Sequence, residues 1–317
     1  IIPDYNHSNI AIDAIKKTVT QSDFNHSISL CVFGSVASNE TTNYSDLDSV
    51  LIYDENYFKN NSRILKLRNL IASINQLSHL QDSLQHHGVI VTSRSELASS
   101  SQAVLRDLIK ESKLIYGNCQ VEISNQMTND FSANYKKLIR SILAKIEKEN
   151  NWTNQYFFKN MISELLLLPS VLIQNKENKF IAKKESFELI GNYASPSFKI
   201  SINQIEKIRT NWTQPQFTLV ELSKTKINAL KKNQKTPLFL LDSFKQIAFD
   251  LKTILNRALQ SVKKRKHIEI LSFYARSEFS NGNAEKGRTT FEAILNNYPK
   301  RTGIFLIIRY MVSIFRL

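Results

Sequence analysis

The sequence predicts an α/β domain with a mixed sheet, followed by an all-α helical bundle and a short helical tail. Short apolar runs alternate with helical segments up to about residue 117, long helical periodicity begins at about residue 131, and a helix, a turn and a second helix follow residue 261. The domains predicted from these patterns are residues 1–125, 126–260 and 261–317. A chain of this length can bury full apolar cores without disulfides or metal ions.

Helical and strand patterns alternate in the first domain. Residues 10–19 have apolar side chains at helical spacing, and residues 28–33 form an apolar run typical of a strand. A second strand is predicted at residues 47–53, an amphipathic helix at 64–80 and a third strand at 88–92. Because the apolar runs are short and alternate with amphipathic helices, we expect these strands to be neighbours in one mixed sheet with helices on one face.

Helical patterns dominate the rest of the chain. After a predicted helix at residues 104–113, residues 114–117 form a short apolar segment that ends in a turn. Apolar residues then recur at helical spacing in residues 138–146 and 161–168, and residues 238–259 predict one more long helix. The sequence therefore predicts a helical second domain.

The chain is basic, with a net charge of +14 and lysine-rich clusters at residues 224–235 and 263–267. Such charge attracts polyanions such as RNA or the triphosphate of a nucleotide. The alternative explanation is a general excess of Lys, Asn and Ile, which codon usage in an AT-rich genome produces.

Cysteine usage and apolar segments indicate a cytoplasmic protein. Cys31 and Cys119 have no spacing typical of a disulfide framework or a metal site, which suits a reducing compartment. The sequence does not start with Met, and it does not start with a basic segment followed by an apolar one. No signal peptide is therefore predicted. The apolar stretch at residues 304–317 contains two arginines and is shorter than the ~20 residues that cross a bilayer, so no membrane partner is predicted.

One pair of short motifs fits the chemistry of nucleotidyl transfer. That chemistry needs a backbone turn against a triphosphate and clustered carboxylates for metal ions. Gly34 follows a predicted strand and admits close backbone approach, and Ser35 opens a helix whose amides and hydroxyl can hold phosphate oxygens. Asp46 and Asp48 follow at positions i and i+2, which places both carboxylates on one face of a strand while Leu47 points into the core.

A Gly-Ser pair followed by Asp-x-Asp resembles the signature of the polymerase β-like nucleotidyltransferase superfamily, which includes antibiotic-modifying and minimal nucleotidyltransferases. The resemblance covers residues 10–117. It implies that Asp46 and Asp48 are catalytic and bind Mg²⁺, with two metal ions at the site, and that Gly34 and Ser35 bind the nucleotide. The implied activity moves a nucleoside monophosphate from ATP or another NTP to a hydroxyl or phosphate acceptor. The helical second half is similar to the bundle that shapes the acceptor pocket of the antibiotic-modifying members, and residues 180–187 resemble its lysine-containing segment.

His87 is the third candidate catalytic residue. In the family that the sequence resembles, a third carboxylate lies on the next strand, and here His87 takes its position while Asp82 and Glu96 flank the strand. A neutral imidazole suits base chemistry near neutral pH, but it binds Mg²⁺ less well than an oxygen donor. We therefore expect weak nucleotidyl transfer or none.

The tail resembles a different family. Residues 262–302 are similar to the half-a-TPR (HAT) repeat tail of a eukaryotic S1-domain ribosomal RNA-processing protein. The resemblance implies a TPR-like repeat, an RNA or protein partner for the basic tail, and a nucleolar location. Helical spacing and the helix stop at Gly282-Asn283 predict an antiparallel helix pair over residues 263–299 that turns at Gly282. The side chains expected to be buried in this pair are Tyr274, Phe279, Phe291 and Leu295.

Two hypotheses follow from these resemblances. The first is a nucleotidyltransferase, and the alternative is a non-catalytic helical-repeat protein or fragment that acts in ribosomal RNA processing. A carboxylate that reaches Asp46 and Asp48 would favour the enzyme, and a closed or acid-poor pocket would favour the interaction protein. The tail also has a plainer explanation, a generic helical hairpin packed on the middle domain.

Overall fold

A four-stranded mixed sheet organises the first half of the protein. The computed structural model describes residues 2–22, 24, 27–98, 108–109, 111–118, 131–280, 289 and 292. The strands are β1 (Ile28–Phe33), β2 (Asp48–Tyr53), β3 (Ile90–Ser93) and β4 (Lys113–Tyr116), in the order β3-β2-β1-β4. Strand β1 is antiparallel to β2 and to β4, whereas β2 and β3 are parallel. The predicted mixed sheet is confirmed.

Strand boundaries differ from the predicted ones in three places. Strand β2 begins at Asp48, so Asp46 precedes the strand in extended chain instead of lying within it. Strand β3 covers Ile90–Ser93 where residues 88–92 were predicted. Lys113, predicted to end a helix, begins β4. Pairing with β1 gives this short segment its strand conformation, and local periodicity does not reveal a contact so distant in sequence.

Helices α1 (Ile10–Thr20) and α3 (Asn61–Leu77) pack with the sheet in the main apolar core. The Asn9 side chain caps α1 by accepting hydrogen bonds from the backbone N–H groups of Ala11 and Ile12. The apolar spacing that predicts both helices is the spacing of the side chains that they bury. These core side chains are Ile12, Ile15, Val19, Leu67, Leu70 and Ile74. Shorter helical segments are α2 (Gly34–Ala37), α4 (Arg94–Ala98) and the 3₁₀ turns Tyr57–Lys59 and Ser78–Leu80.

A second apolar cluster covers the opposite face of the sheet. Cys31, Val50 and Ile52 contribute to it from the strands, and Leu97 and Ile109 lie against them from helical segments. The prediction that helices cover one face is therefore wrong. Every residue of β1 is buried, which explains why β1 is apolar apart from Ser29 and lacks regular polar alternation.

The second half of the chain is helical, as predicted. Phe158 is the centre of the aromatic core in this half: its ring stacks on Trp212 and meets Phe244 edge to face, and Phe244 in turn contacts Trp152. The helices are α5 (Phe131–Ile146), α6 (Gln155–Leu165), α7 (Leu168–Glu177), α8 (Lys183–Leu189), α9 (Pro196–Thr210), α10 (Lys224–Asn233) and α11 (Leu238–Ser280), with 3₁₀ turns at Glu149–Thr153 and Ile190–Asn192.

The chain separates into two compact units, Ile1–Lys252 and Thr253–Leu317. The first unit contains the sheet and the helices up to the start of α11, so the predicted division near residue 125 falls inside one unit. The three-domain division stays a prediction. Most of the predicted tail lies outside the described residues and side chains, including the turn at Gly282 and the expected buried positions Tyr274, Phe279, Phe291 and Leu295.

One segment, Gln155–Glu177, is long and apolar enough to cross a membrane by length and composition. In the structure it consists of α6 and α7, and 56% of its apolar window is buried within the protein. The buried apolar side chains of α6, among them Phe158, Ile162 and Leu165, account for that composition as helical core.

Candidate active site

Strand pairing brings the predicted site residues to one edge of the sheet. Phe33, the last residue of β1, is paired with Asp48, the first residue of β2, so the turn at Gly34 follows directly beside Asp48. Strand β3 runs parallel to β2 and pairs from Ile90 onward. The residues that precede β3, including His87, therefore arrive at the edge where β2 begins.

Gly34 lies against the Asp48 carboxylate in a backbone conformation that favours glycine. Its φ angle is +68°, and a Cβ added at this position would lie 2.9 Å from Asp48 Oδ2. Ser35 follows as the second residue of the short helix α2, half-buried, with its carbonyl accepting a hydrogen bond from the Glu40 N–H. The turn and the carboxylate that the sequence predicted to act together are thus neighbours.

Gly34→Ala should destabilise the protein by about 1–2 kcal/mol, because an L side chain in the left-handed region is strained and the new Cβ displaces Asp48. Thermal unfolding of the two proteins measures the effect. Gly191→Ala is the matched control, since a Cβ there meets the flexible end of the Lys199 side chain. Equal unfolding temperatures for the two variants would contradict the strain argument.

Two histidines complete this edge beside the carboxylates. His87 Nε2 lies 3.1 Å from Asp48 Oδ1 and 3.7 Å from Asp46 Oδ2. His86 Nδ1 lies 3.5 Å from the same Asp46 oxygen. His87 was predicted from the position of the third strand, whereas no pattern in the sequence predicted His86. One ligand atom each of Asp46, His86 and His87 lie within 4.8 Å of one another, which makes these three residues a candidate metal site.

The Gln85 side chain fixes the two segments against each other. Its Oε1 accepts a hydrogen bond from the Leu47 N–H at 3.0 Å, and its Nε2 donates to the Leu47 carbonyl at 3.1 Å and to the His87 carbonyl at 3.0 Å. Gln85 and Leu47 are both buried. A single amide thus replaces the ladder hydrogen bonds that the two segments lack ahead of the paired strands.

Lys159, on helix α6, reaches the carboxylates from the helical half of the protein. Its Nζ lies 2.6 Å from Asp46 Oδ1 and 2.5 Å from Asp82 Oδ2, and both Lys159 and Asp82 are fully buried. Tyr44 contacts this lysine at both ends. Its hydroxyl donates a hydrogen bond to the Lys159 backbone carbonyl at 2.9 Å, and the centroid of its ring lies 4.9 Å from Nζ. The sequence did not predict this buried ion triad.

Asp82 is the carboxylate that comes close to Asp46, although the sequence placed it only at the flank of β3. Its Oδ1 accepts hydrogen bonds from the Leu84 N–H at 3.0 Å and from Gln214 Nε2 at 2.7 Å, so both of its oxygens have partners. The other flanking acid, Glu96, accepts a hydrogen bond from the Ser93 N–H at the far end of β3. The structure therefore supplies an additional carboxylate beside Asp46 and neutralises it with Lys159.

Burial and neighbouring charges shift the pKa values of Asp46, Asp82 and His87 in different directions. Burial raises the pKa of Asp46, but the Lys159 charge together with the interactions with His86 and Asp82 outweighs this effect and holds that pKa well below its usual range. Burial raises the pKa of Asp82 to about 7 against the opposing charge of Lys159. Burial lowers the pKa of His87, and its hydrogen bond and charge interaction with Asp48 reverse this and raise the pKa above its usual value.

Basic side chains of the helical half face this acidic edge. Burial lowers the pKa of Lys183, on α8, to about 8 with a further contribution from the Arg209 charge, while Glu206, Asp48 and Asp46 act in the opposite direction. Arg209 Nη1 donates to Glu206 Oε1 at 2.9 Å, and within the described part of the chain its buried Nε has no hydrogen-bond partner. Lys183 belongs to residues 180–187, the segment that the sequence matched to the bundle of the antibiotic-modifying enzymes.

Residues 13–85 match the model of the nucleotidyltransferase domain family. The match includes the Gly34 turn, Asp46, Asp48 and Asp82. This stretch is thus similar to a nucleotidyltransferase domain. This confirms the family resemblance that the sequence motifs carry, while the roles of the individual residues stay predictions.

Curated relatives match a short stretch of the chain. The rRNA biogenesis protein rrp5 of Schizosaccharomyces pombe is 44% identical over 55 residues, and the rRNA biogenesis protein RRP5 of Arabidopsis thaliana is 40% identical over 65 residues. These matches cover 17% and 20% of this chain, and the chain spans about 3% of the length of either relative. The resemblance to ribosomal RNA-processing proteins is thus confirmed as a partial one.

A structural similarity extends over more of the chain. The crystal structure of spectinomycin adenyltransferase AAD(9) from Enterococcus faecialis with ATP and spectinomycin superposes with a TM-score of 0.42 and 14% sequence identity. The superposition covers 74% of this chain and 98% of that one.

Proposed function

We propose that the protein transfers a nucleoside monophosphate from ATP or another NTP to a hydroxyl or phosphate acceptor. The observation that carries the proposal is the convergence of the Gly34 turn, Asp46 and Asp48 at one sheet edge within the nucleotidyltransferase domain. In this reaction the acceptor oxygen bonds to the α-phosphorus, pyrophosphate leaves, and the acceptor proton passes to a base or to water.

Asp46 Oδ2 and Asp48 are the carboxylate groups that would hold a divalent metal ion, and the resemblance implies Mg²⁺. Such an ion neutralises the charge that develops on the phosphate oxygens. Asp46 is kept ionised by Lys159, which orients its Oδ1 and leaves Oδ2 facing His86 and His87. His87 presents Nε2 beside Asp48 as a metal ligand or proton acceptor.

Lys183 and Arg209 would contact the triphosphate from the helical half of the site. Both are cationic side chains in the first compact unit, and the charges of Asp46 and Asp48 act on Lys183. A nucleotide whose α-phosphate lies at the carboxylates has a further negatively charged tail to neutralise, and these two residues supply that charge.

Lys183→Met should raise the KM for the NTP about tenfold to a hundredfold, because one charge-assisted contact to phosphate is lost. Lys184→Met is the matched control. Lys184 is the next residue in the chain, but it is exposed and its Nζ pairs with Glu40 Oε1 at 2.6 Å on the surface. The control should change the KM by no more than about twofold. Equal changes in KM for the two substitutions would show that Lys183 does not contact the nucleotide.

Nucleotide binding by the wild-type protein should also weaken at alkaline pH. The Lys183 ammonium is present below its pKa of about 8 and is lost above it, so affinity for a polyphosphate falls as the pH rises through that value. The decline is limited to about tenfold per pH unit. In the Lys183→Met variant this pH dependence should disappear, which a titration with a fluorescent ATP analogue measures.

A transfer assay tests the proposed activity directly. The protein is incubated with each of the four NTPs labelled at the α-phosphate, a divalent metal ion and pools of small hydroxyl compounds, nucleotides, proteins and RNA. Transfer of label to one acceptor class, with release of pyrophosphate, supports the proposal. Label that stays in NTP with every pool and metal ion contradicts it.

A second candidate function is participation in ribosomal RNA processing as an interaction protein. It is favoured by the 44% identity to the Schizosaccharomyces pombe rRNA biogenesis protein over 55 residues. It would take place in the nucleolus, whereas the transferase function needs no compartment other than the cytoplasm. Co-purification of ribosomal RNA precursors with the full chain, unchanged by Asp48→Asn, would support this function over nucleotidyl transfer.

A further inference from the structure

We propose that Asp46, His86 and His87 bind a first-row transition-metal ion, with both imidazoles as ligands. The proposal deepens the proposed function by naming the class of metal and its ligands. It concerns binding, which is measured without nucleotide and without transfer. Mg²⁺ takes six oxygen ligands in octahedral geometry, whereas imidazole nitrogen suits ions such as Zn²⁺, Co²⁺ and Fe²⁺.

The distances fit a small coordination sphere. Ligand atoms bonded to a common ion at about 2.0–2.2 Å in tetrahedral geometry lie about 3.4 Å from one another. Asp46 Oδ2 is 3.5 Å from His86 Nδ1 and 3.7 Å from His87 Nε2, close to that separation. The ligand atoms of all three residues, including those of the two histidines, lie within 4.8 Å of one another.

The environment of His86 Nδ1 is a further observation at the same site. Its Nδ1 is a buried nitrogen that makes no hydrogen bond in the portion of the chain that the structure describes. A buried polar atom without a hydrogen bond is costly, and a metal ion bound to Nδ1 removes that cost. The side chain is 14% exposed, so most of its surface is removed from water.

Lys159 reduces the number of carboxylate oxygens that are available to bind a metal ion. The ammonium takes Asp46 Oδ1 and Asp82 Oδ2, and the other Asp82 oxygen accepts two hydrogen bonds. What remains toward the histidines is Asp46 Oδ2, with Asp48 Oδ1 at 3.1 Å from His87 Nε2 as an additional oxygen. Two nitrogens and one or two carboxylate oxygens are ligands typical of a transition metal with an open position, whereas Mg²⁺ prefers oxygen ligands, including water, to imidazole nitrogen.

Co²⁺ is the probe that tests this site. The full chain, freed of metal by a chelator, is titrated with Co²⁺, and the visible absorption reports ligand number and geometry. We expect a four- or five-coordinate spectrum, Co²⁺ binding that excess Mg²⁺ does not displace, and at least about tenfold weaker binding in both His86→Asn and His87→Asn. His87→Asp should shift the site toward Mg²⁺, because an oxygen ligand replaces a nitrogen.

His7→Asn is the matched control, since His7 is an exposed histidine outside the cluster, and it should bind Co²⁺ like the wild type. Circular dichroism shows whether each variant is folded. An octahedral spectrum, Co²⁺ displaced by equimolar Mg²⁺, or folded histidine variants that bind Co²⁺ as tightly as the wild type would each overturn the proposal. Tight, histidine-dependent Co²⁺ binding without nucleotidyl transfer under any condition would leave the metal site standing and refute the proposed function alone.

Discussion

Asp48→Asn should lower nucleotidyl transfer by about 10²–10³-fold, because a neutral amide does not offset the charge that a metal ion and the phosphates bring to the site. The initial rate of label transfer from the NTP is the measurement. Asp48 is a cleaner position for this test than Asp46. Asp46 also holds the buried Lys159, so its substitution disturbs the fold as well as the chemistry.

Asp54→Asn is the control for this prediction. Asp54 follows the last residue of the same strand, and its side chain is 32% exposed against 31% for Asp48. It faces Arg94 at 3.7 Å, at the opposite end of β2 from the site. The control should retain transfer within about twofold. Full transfer activity in Asp48→Asn would mean that the active site lies elsewhere.

Local sequence patterns were sufficient for three of the four strands and for part of the site. The strands at 28–33 and 47–53 are apolar runs bounded by turn-forming residues, and their periodicity shows directly in the sequence. The Gly34 turn and the carboxylate pair belong to those strands, so predicting the strands also placed Gly34 and Asp48 at adjacent strand ends. His87 followed from the position of the third strand.

The groups that set the charge of the site were not predicted, because they come together only in the tertiary structure. Lys159 is 113 residues from Asp46 in sequence and 77 from Asp82. One signal was present: Lys159 occupies a position on the buried stripe of α6, between Phe158 and Ile162, where an apolar side chain is expected. A lysine at such a position requires a buried partner, and no local pattern identifies which acid that is.

The same long-range packing explains the second covered face of the sheet. The continuous apolar run of β1 indicates a strand buried on both sides, and this signal was available in the sequence. What covers the second face is Leu97, from the short helix α4, and Ile109, and no local pattern indicates on which face of the sheet these residues lie. Element type is thus a local property here, whereas the layer to which an element belongs is decided by distant contacts.

Lys159→Met should destabilise the first compact unit by about 3–5 kcal/mol, because it leaves two buried carboxyl groups without their shared cation. Methionine keeps the length and the apolar stem of lysine, so the loss reports the charge rather than a cavity. Urea denaturation followed by tryptophan fluorescence measures it, since the chain contains two tryptophans, and Trp152 and Trp212 are both buried in this unit. Lys245→Met is the control: Lys245 pairs with Asp242 on the surface, and its loss should cost no more than about 0.5 kcal/mol.

The pH dependence of that destabilisation distinguishes the loss of the cation from a packing defect. Burial raises the pKa of Asp82 to about 7 in the folded protein, above the ~3.9 of an unfolded chain. The folded state therefore binds a proton more tightly between these values, and the stability that Asp82 contributes is present below about pH 4 and lost as the pH rises to 7. Without Lys159 the carboxyl pKa rises further, so the difference in unfolding free energy between wild type and Lys159→Met should be larger at pH 8 than at pH 5.

Asp82→Asn in the Lys159→Met background should restore part of the stability at pH 8, because it removes one of the two unpaired charges. A destabilisation that is equal at both pH values and unchanged by Asp82→Asn would show that Lys159 acts through packing and not through its charge.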